Sequence, residues 1–256
     1  MYANYHTHTP RCRHAVGGER EYIERAIFGG LAVLGFSDHT PYDFETPGYD
    51  SGVRMEMEEL PEYVSALRSL RAEYAGRITL HIGLEAEYYP KLFPKLLPAL
   101  RREGIEYLIL GQHFLGNEVG EPYCGLPTAD SAMLDRYVGQ SIEGLQTGCF
   151  SCFAHPDLIH YTGSAAEYAR QMRRLCRAAK EADVPLELNL LGLREGRQYP
   201  AEAFWRLAAE EGNDVVLGAD AHRPEHVFVP ETEARARGLA EKLGLVIENT
   251  LTLRKP

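Results

Sequence analysis

Short apolar runs alternate with longer amphipathic runs along nearly all of this 256-residue chain, and this alternation limits the fold more than any other feature. The short runs are rich in β-branched residues and have the length of buried strands, whereas the longer runs repeat apolar residues at helical spacing. Strands that alternate with helices predict parallel pairing through helical crossovers. Seven strands are predicted, in YANYH, LAVLGFSD, ITLHIGLE, EYLILGQH, CFSCFAH, PLELNL and DVVLGAD.

Seven helical segments are predicted to accompany these strands. They are GEREYIERAIFGG, MEELPEYVSALRSLRAEYAG, LFPKLLPALRREG, ADSAMLDRYVGQSIEGLQTG, SAAEYARQMRRLCRAAKEA, PAEAFWRLAAEEG and ETEARARGLAEKLG. The predicted fold class is therefore α/β, close to a (β/α) barrel but one unit short of eight. Because no linker or low-complexity stretch interrupts the pattern, residues 1–256 are predicted to form a single domain.

Polar side chains recur at the carboxyl end of each predicted strand. These residues are His6, His8, Asp38, His39, Glu85, His113, His155, Asn189, Asp220 and His222. In parallel α/β barrels the carboxyl ends of the strands meet at one rim, where the active site lies. The sequence therefore predicts one polar site built from both ends of the chain.

The composition of this rim favours a metal centre. His6 and His8 face the same side of an extended chain, because alternate residues of a strand do so. Histidines near strand ends, together with two carboxylates, give nine candidate ligands: His6, His8, His14, His39, Glu85, His113, His155, Asp220 and His222. Nine exceed the four to six ligands of one ion, so two or three divalent ions are predicted. The other histidines are predicted to be packed (His81) or solvated (His160 and His226), although His160 is close enough to His155 for a possible substrate contact.

The net charge of −10 argues against a nucleic-acid partner or an anionic membrane surface. No segment resembles a signal peptide or a membrane span, and five cysteines suit reduced thiols, so a cytoplasmic location is expected. Cys149 and Cys152 spell C-x-x-C, but on a strand their thiols point to opposite faces and do not chelate together.

Imidazole-rich ligation leaves the positive charge of the ions largely uncancelled, which favours a phosphate ester as substrate. A metal-bound water has its pKa lowered toward neutrality, and paired ions hold the hydroxide and the phosphoryl oxygens in line. No serine or cysteine lies in a recognisable nucleophile elbow, so attack by metal-bound hydroxide is expected.

Eight separated motifs resemble, in order and spacing, those of the PHP (polymerase and histidinol phosphatase) superfamily. They are HTH, CRHA, GFSDHTP, GLEAEY, GQHF, AHPDLI, ELNLLGLR with YP, and GADAH. Within the superfamily the chain is most similar to the monofunctional PHP-type histidinol-phosphatases. The resemblance implies a distorted (β/α)7 TIM-like barrel of the PHP type that hydrolyses L-histidinol phosphate at a trinuclear site, a step of histidine biosynthesis.

The resemblance also implies an arrangement of ligands. His6, His8, Glu85 and Asp220 would hold one ion; Glu85, His113 and His155 a second; and His14, His39 and His222 a third. The metal would be zinc, manganese or iron. Glu85, Asp220, His222 and Arg194 are the predicted catalytic residues.

Roles beyond the ligands are predicted from position in the sequence. Arg194 follows the sixth strand and is a candidate for bidentate contact with the phosphate, the alternative being a solvated arginine; Arg197 and Asn189 are further substrate-binding candidates. Asp38 faces away from His39, which favours a supporting role. Asp157 either orients an imidazole, protonates the leaving alkoxide or caps a helix.

Three alternative functions stay open at this stage. The first is a PHP phosphoesterase acting on phosphotyrosine or a nucleotide. The second is a metal-dependent amidohydrolase, whose barrel also begins with H-x-H. The third is a metal-holding scaffold without activity. The oligomeric state is not predicted.

Overall fold

The computed structural model describes residues 1–256 and contains one seven-stranded parallel sheet in the order β1-β2-β3-β4-β5-β6-β7. The strands are β1 (Ala3–Asn4), β2 (Val33–His39), β3 (Thr79–Ala86), β4 (Tyr107–Leu110), β5 (Phe150–Phe153), β6 (Leu186–Asn189) and β7 (Val215–Gly218). A parallel bridge between Thr7 and Ala221 brings the last strand next to the first. The predicted seven strands and the distorted (β/α)7 barrel are confirmed.

The first strand is shorter than predicted, because it ends at Asn4 rather than at His6. The side-chain oxygen of Asn4 accepts hydrogen bonds from the backbone N–H groups of His6 (3.2 Å) and Ala219 (2.9 Å). This amide thus takes the place of ladder hydrogen bonds at the junction of β1 and β7, and the chain bends inward beyond it.

Eight α-helices accompany the strands, with α8 following the last of them, and seven of the eight were predicted. The helices are α1 (Glu19–Phe28), α2 (Leu60–Glu73), α3 (Phe93–Glu103), α4 (Ser131–Gln146), α5 (Ala165–Glu181), α6 (Leu190–Glu195), α7 (Glu202–Glu211) and α8 (Pro230–Leu243). The unpredicted helix, α6, has only six residues and begins directly after β6, where the Asn189 side chain accepts from Gly192 N at 3.0 Å and caps it. None of the helices is both long and apolar enough to span a membrane.

Helix α5 illustrates why these segments form helices against the sheet. Ser164 caps its first turn by accepting a hydrogen bond from Glu167 N. Its buried apolar side chains recur at spacings of three and four residues, which places them on one face: Met172, Leu175, Cys176 and Ala179. That face joins the large apolar layer between helices and sheet.

A second, smaller apolar cluster fills the inside of the barrel. It contains Ala3, Tyr5, Val33, Tyr107, Ile109, Cys152, Ala154, Val216 and Leu251. Cys152 belongs to this inner cluster and Cys149 to the outer layer, so the prediction that the two thiols face opposite sides is confirmed. All five cysteines are free and buried.

The C-terminal segment covers the amino ends of the strands. Ile247 forms a parallel bridge to Val215, and Leu251 packs into the inner cluster. The backbone N–H of Arg254 donates to Ser151 Oγ at 2.8 Å. One end of the barrel is thereby closed with apolar contacts, and the polar side chains gather at the other.

Candidate metal centre

A cavity of about 460 Å³ lies at the carboxyl ends of the strands, and the predicted ligands gather in and beneath it. Eight of them line it: His8, His14, His39, Glu85, His113, His155, Asp220 and His222. The ninth, His6, is buried against the others with its Nε2 atom 3.5 Å from Glu85 Oε2. Side chains from both ends of the sequence therefore converge on one carboxylate.

Four of these side chains bring one ligand-type atom each into a close group. The atoms are His6 Nε2, His8 Nε2, Glu85 Oε2 and Asp220 Oδ1. Five of the six distances between them are given by the structure, and they range only from 3.2 to 3.6 Å. The centre of a regular tetrahedron with such edges is about 2.1 Å from each corner, which is the length of a zinc–nitrogen or zinc–oxygen bond. The geometry fits a tetrahedrally coordinated ion.

The second oxygen of Glu85 faces another pair of imidazoles. Its Oε1 atom lies 2.9 Å from His155 Nε2 and 3.6 Å from His113 Nε2. One carboxylate therefore has ligand-type neighbours on both oxygens, as a carboxylate between two ions would. A second ion fits between Glu85, His113 and His155.

A third group lies nearer the mouth of the cavity. His14, His39 and His222 bring one ring nitrogen each to within 4.8 Å of one another, and His14 is the exposed member. The Nε2 atoms of His14 and His222 are 2.9 Å apart. His39 Nδ1 also lies 3.1 Å from Glu85 Oε2, so this group adjoins the first group.

Two carboxylates that were not predicted from the sequence contact the Nδ1 atoms of two imidazoles and orient these rings. His6 Nδ1 is 2.7 Å from Glu187 Oε1, and His113 Nδ1 is 2.9 Å from Glu87 Oε1. The proton of each neutral ring therefore lies on Nδ1, and the lone pair of Nε2 faces inward. A signal for both was present: Glu87 follows Glu85 by two positions and so shares its face of the chain, and Glu187 stands in the same relation to Asn189 on β6.

The centre carries buried oxygens that no protein donor satisfies. Both carboxylate oxygens of Glu85 and the Oδ1 atom of Asp220 lack a hydrogen-bond partner. Burial opposes the ionisation of these carboxyl groups, but the surrounding imidazoles, led by His113 for Glu85 and His6 for Asp220, hold both pKa values well below their usual range. Buried, ionised and unpaired oxygens are costly without a cation, so the donor set fits divalent metal ions.

Two of the candidate ligands lie on a left-handed backbone. His155 has φ = 33° two residues after the end of β5, and Asp220 has φ = 45° two residues after the end of β7. Residues other than glycine adopt this region at an energetic cost, and such strain clusters at functional sites. Here the turn directs both side chains into the cavity.

The charge of the cavity without cations is unfavourable for a phosphate ester. Four carboxylates line it (Glu85, Glu87, Glu195 and Asp220) against two guanidinium groups (Arg197 and Arg223), which leaves −2 with neutral imidazoles. Two or three divalent ions would reverse the sign of this charge.

The three predicted substrate-binding residues lie in different surroundings. Arg197 lines the cavity. Arg194 does not, because it lies on the unpredicted helix α6 with its Nη1 atom 3.5 Å from the carbonyl oxygen of Ala219. Asn189 is also absent from the cavity lining: its amide donates to Glu187 (2.9 Å) and Asp220 (3.1 Å). Asn189 thus contacts Asp220 and Arg194 contacts the turn that carries it, and their roles toward a substrate stay predictions.

Other polar residues lie near the centre. Asp38 accepts from Thr9 N at 3.1 Å behind His8, in the supporting position that was predicted. Asp157 is buried, which raises its pKa to about 7, and it accepts from Ala201 N beside α7 rather than lining the cavity. His226 was expected to be solvated but lines the cavity wall.

The two remaining histidines do not line the cavity. His81 lies on β3 and is partly exposed, with its Nδ1 atom 3.3 Å from Glu106 Oε2. The backbone N–H of His160 donates to the carbonyl oxygen of Cys124 at 3.0 Å.

Comparisons with known proteins identify the family and several relatives of this chain. The PHP domain family matches residues 4–190. A probable histidinol-phosphatase of Deinococcus radiodurans is 33% identical over 228 residues, which cover 87% of this chain and 86% of that protein. A histidinol-phosphatase of Bacillus subtilis is 26% identical and covers 85% of this chain and 92% of its own length.

A solved structure shares the fold over its whole length. It is the histidinol phosphate phosphatase of Lactococcus lactis complexed with zinc, L-histidinol and phosphate, which superposes with a TM-score of 0.75 at 21% identity. The superposition covers 98% of both chains.

Proposed function

This chain belongs to the PHP domain family, and from that premise we propose that it is a metal-dependent histidinol-phosphatase that hydrolyses L-histidinol phosphate to L-histidinol and phosphate. The relatives that support the substrate cover this chain almost completely, so the proposal extends to residues 1–256 as one catalytic domain. The single observation that carries the metal dependence is the close group of four ligand-type atoms from His6, His8, Glu85 and Asp220.

We propose two or three divalent ions in the cavity. The first would be held by His6, His8, Glu85 and Asp220, the second by Glu85, His113 and His155, and the third by His14, His39 and His222. Mixed imidazole and carboxylate ligation suits zinc, manganese or iron. When bound, such ions supply a water of lowered pKa and positive charge for the phosphoryl oxygens.

The remaining residues of the cavity bind and orient the substrate in this proposal. Arg197 lies on the wall with a guanidinium group available for phosphoryl oxygens. Val53, Phe114 and Leu191 form the apolar part of the lining, which suits the carbon skeleton and the ring of histidinol. Glu187 and Glu87 keep His6 and His113 in the tautomer that leaves Nε2 free.

The substrate is tested by steady-state rates of the zinc-, manganese- and iron-loaded protein on a panel of phosphate esters. We expect kcat/KM for L-histidinol phosphate to exceed that for a phosphotyrosine peptide or a nucleoside monophosphate by at least about tenfold. A binding site whose apolar and polar groups match one substrate lowers kcat/KM for a mismatched substrate by about this factor or more. A cyclic amide substrate serves as the control for amidohydrolase activity. Faster turnover of another ester would overturn the substrate assignment, and metal-loaded protein without any phosphatase activity would overturn the enzyme assignment.

A further inference from the structure

One buried arginine outside the ligand set contacts a supporting residue of the centre. The guanidinium group of Arg54 is 98% buried and donates to both oxygens of Glu87 at 3.1 Å. Glu87 in turn accepts from His113 Nδ1 at 2.9 Å through Oε1. A continuous chain of hydrogen bonds therefore runs from Arg54 through Glu87 to the candidate ligand His113.

The same arginine joins two long loops at the rim of the barrel. Arg54 lies in the connection between β2 and α2, and its Nε atom donates to Glu118 Oε2 at 3.0 Å in the connection between β4 and α4. Tyr49 and Ser51, from the loop of Arg54, donate to the other oxygen of Glu118 at 2.7 and 2.5 Å. A further donor of Arg54 reaches the carbonyl oxygen of Thr40 at 2.9 Å.

The charge of this cluster makes the arginine necessary for the position of Glu87. Glu87 and Glu118 are both buried and contact the same nitrogen of Arg54, so without that cation two buried carboxylates would face each other. Like charges at such a site force one group to become neutral or to move. The rings of Tyr42 and Phe44 lie 5.7 and 5.5 Å from the guanidinium carbon and pack against it.

We propose that Arg54 is a positioning residue that holds Glu87 against His113 and so couples the two rim loops to the candidate ligand of the second ion. The inference rests on the proposed function in that it assumes an ion at His113. It deepens that function by making the affinity of one ion depend on contacts in the β2–α2 loop.

The test compares R54M with the parent protein in two measurements. The first is the rate at which a chelator removes each zinc ion; the second separates kcat from KM for phosphate-ester hydrolysis. Loss of a residue that supports a metal ligand costs about 10- to 100-fold in metal affinity or activity. We therefore expect the chelator to remove the ion at His113 about 10- to 100-fold faster from R54M than from the parent, while the release rates of the other ions stay at the parental level. We expect kcat to fall by a similar factor, with KM changing less.

A matched control exists at the opposite end of the barrel. Arg71 donates to Glu106 at 2.6 Å, and Glu106 lies 3.3 Å from His81, which repeats the arginine–glutamate–histidine order without a candidate ligand. R71M is expected to leave both measurements at the parental level. If R54M loses stability overall, R54K serves instead, because lysine keeps the charge but lacks the planar fork that reaches both carboxylates.

A double-mutant cycle with E87Q completes the test. If Arg54 acts through Glu87, the effects on ion loss are strongly non-additive. Additive effects, or equal weakening of all ions in R54M, would overturn the inference. An inactive parent protein that retains its zinc would contradict the proposed function alone, since chelator release would still report on Arg54.

Discussion

Replacing Glu85 by glutamine is expected to lower kcat/KM for phosphate-ester hydrolysis by about 10³-fold, equivalent to ~4 kcal/mol of transition-state stabilisation. The carboxylate lies 2.9 to 3.6 Å from five imidazoles, three on one oxygen and two on the other. Glutamine has almost the same shape, but it removes the negative charge and turns an N–H donor toward ring nitrogens that carry lone pairs. Two proposed ions would lose a ligand at once.

Unfolding midpoints with and without zinc distinguish the loss of activity in E85Q from misfolding. The imidazoles that hold the pKa of Glu85 low also stabilise the metal-free fold at neutral pH, so the unfolding midpoint of each zinc-loaded protein is compared with that of its own chelator-treated form. The stabilisation that added zinc gives to the parent should be much smaller in the variant. E106Q, which changes a carboxylate beside His81 away from the cavity, is the matched control. Parental zinc content and activity in E85Q would contradict the role of Glu85.

The substitution Gly111→Ala is expected to lower kcat/KM by about 10²-fold, although it adds only one methyl group, because displacement of a catalytic group by about 1 Å costs activity on that scale. A Cβ atom at Gly111 would overlap the Glu85 carboxylate and lie 2.6 Å from its Cγ. The backbone is held in place, since Gly111 N donates to the carbonyl oxygen of Ala86 at 3.1 Å. The side chain of Glu85 must therefore move. Steady-state kinetics and the zinc content after dialysis measure the result.

Gly139→Ala provides the comparison for Gly111→Ala. Gly139 lies in α4, and a Cβ atom there would meet nothing within 4 Å. Replacing glycine by alanine at a helical position with open space is neutral or stabilising, so this variant should keep parental activity. If Gly111→Ala is equally active and retains its zinc, Glu85 does not occupy the position that the structure gives it.

Much of the fold, and the convergence of the candidate ligands, could be predicted because both follow from local patterns. The alternation of strands and helices placed His6, His39, Glu85 and His155 at strand ends, and the parallel topology brings such ends together. A two-residue period was enough to put His6 and His8 on one side. These relations depend on spacing along the chain, which the sequence displays directly.

The supporting residues could not be predicted in the same way, because their partners are distant in the sequence. Glu187 contacts His6 across 181 positions, and Arg54 contacts Glu87 across 33. Asn189 was assigned to the substrate because it ends a strand, but helix α6 begins there and uses its side chain as a cap. That same short helix carries Arg194, whose Nη1 atom lies 3.5 Å from the carbonyl oxygen of Ala219, whereas Arg197, just beyond it, lines the wall.

The most direct test of the account is anomalous diffraction from crystals of the zinc-loaded protein, measured at the zinc absorption edge. The account predicts a peak about 2.0–2.2 Å from His6 Nε2, His8 Nε2, Glu85 Oε2 and Asp220 Oδ1, with a neighbouring peak between Glu85 Oε1, His113 and His155. Diffraction that shows the four atoms drawn together by hydrogen bonds or an ordered water, with no anomalous peak among them, would contradict it.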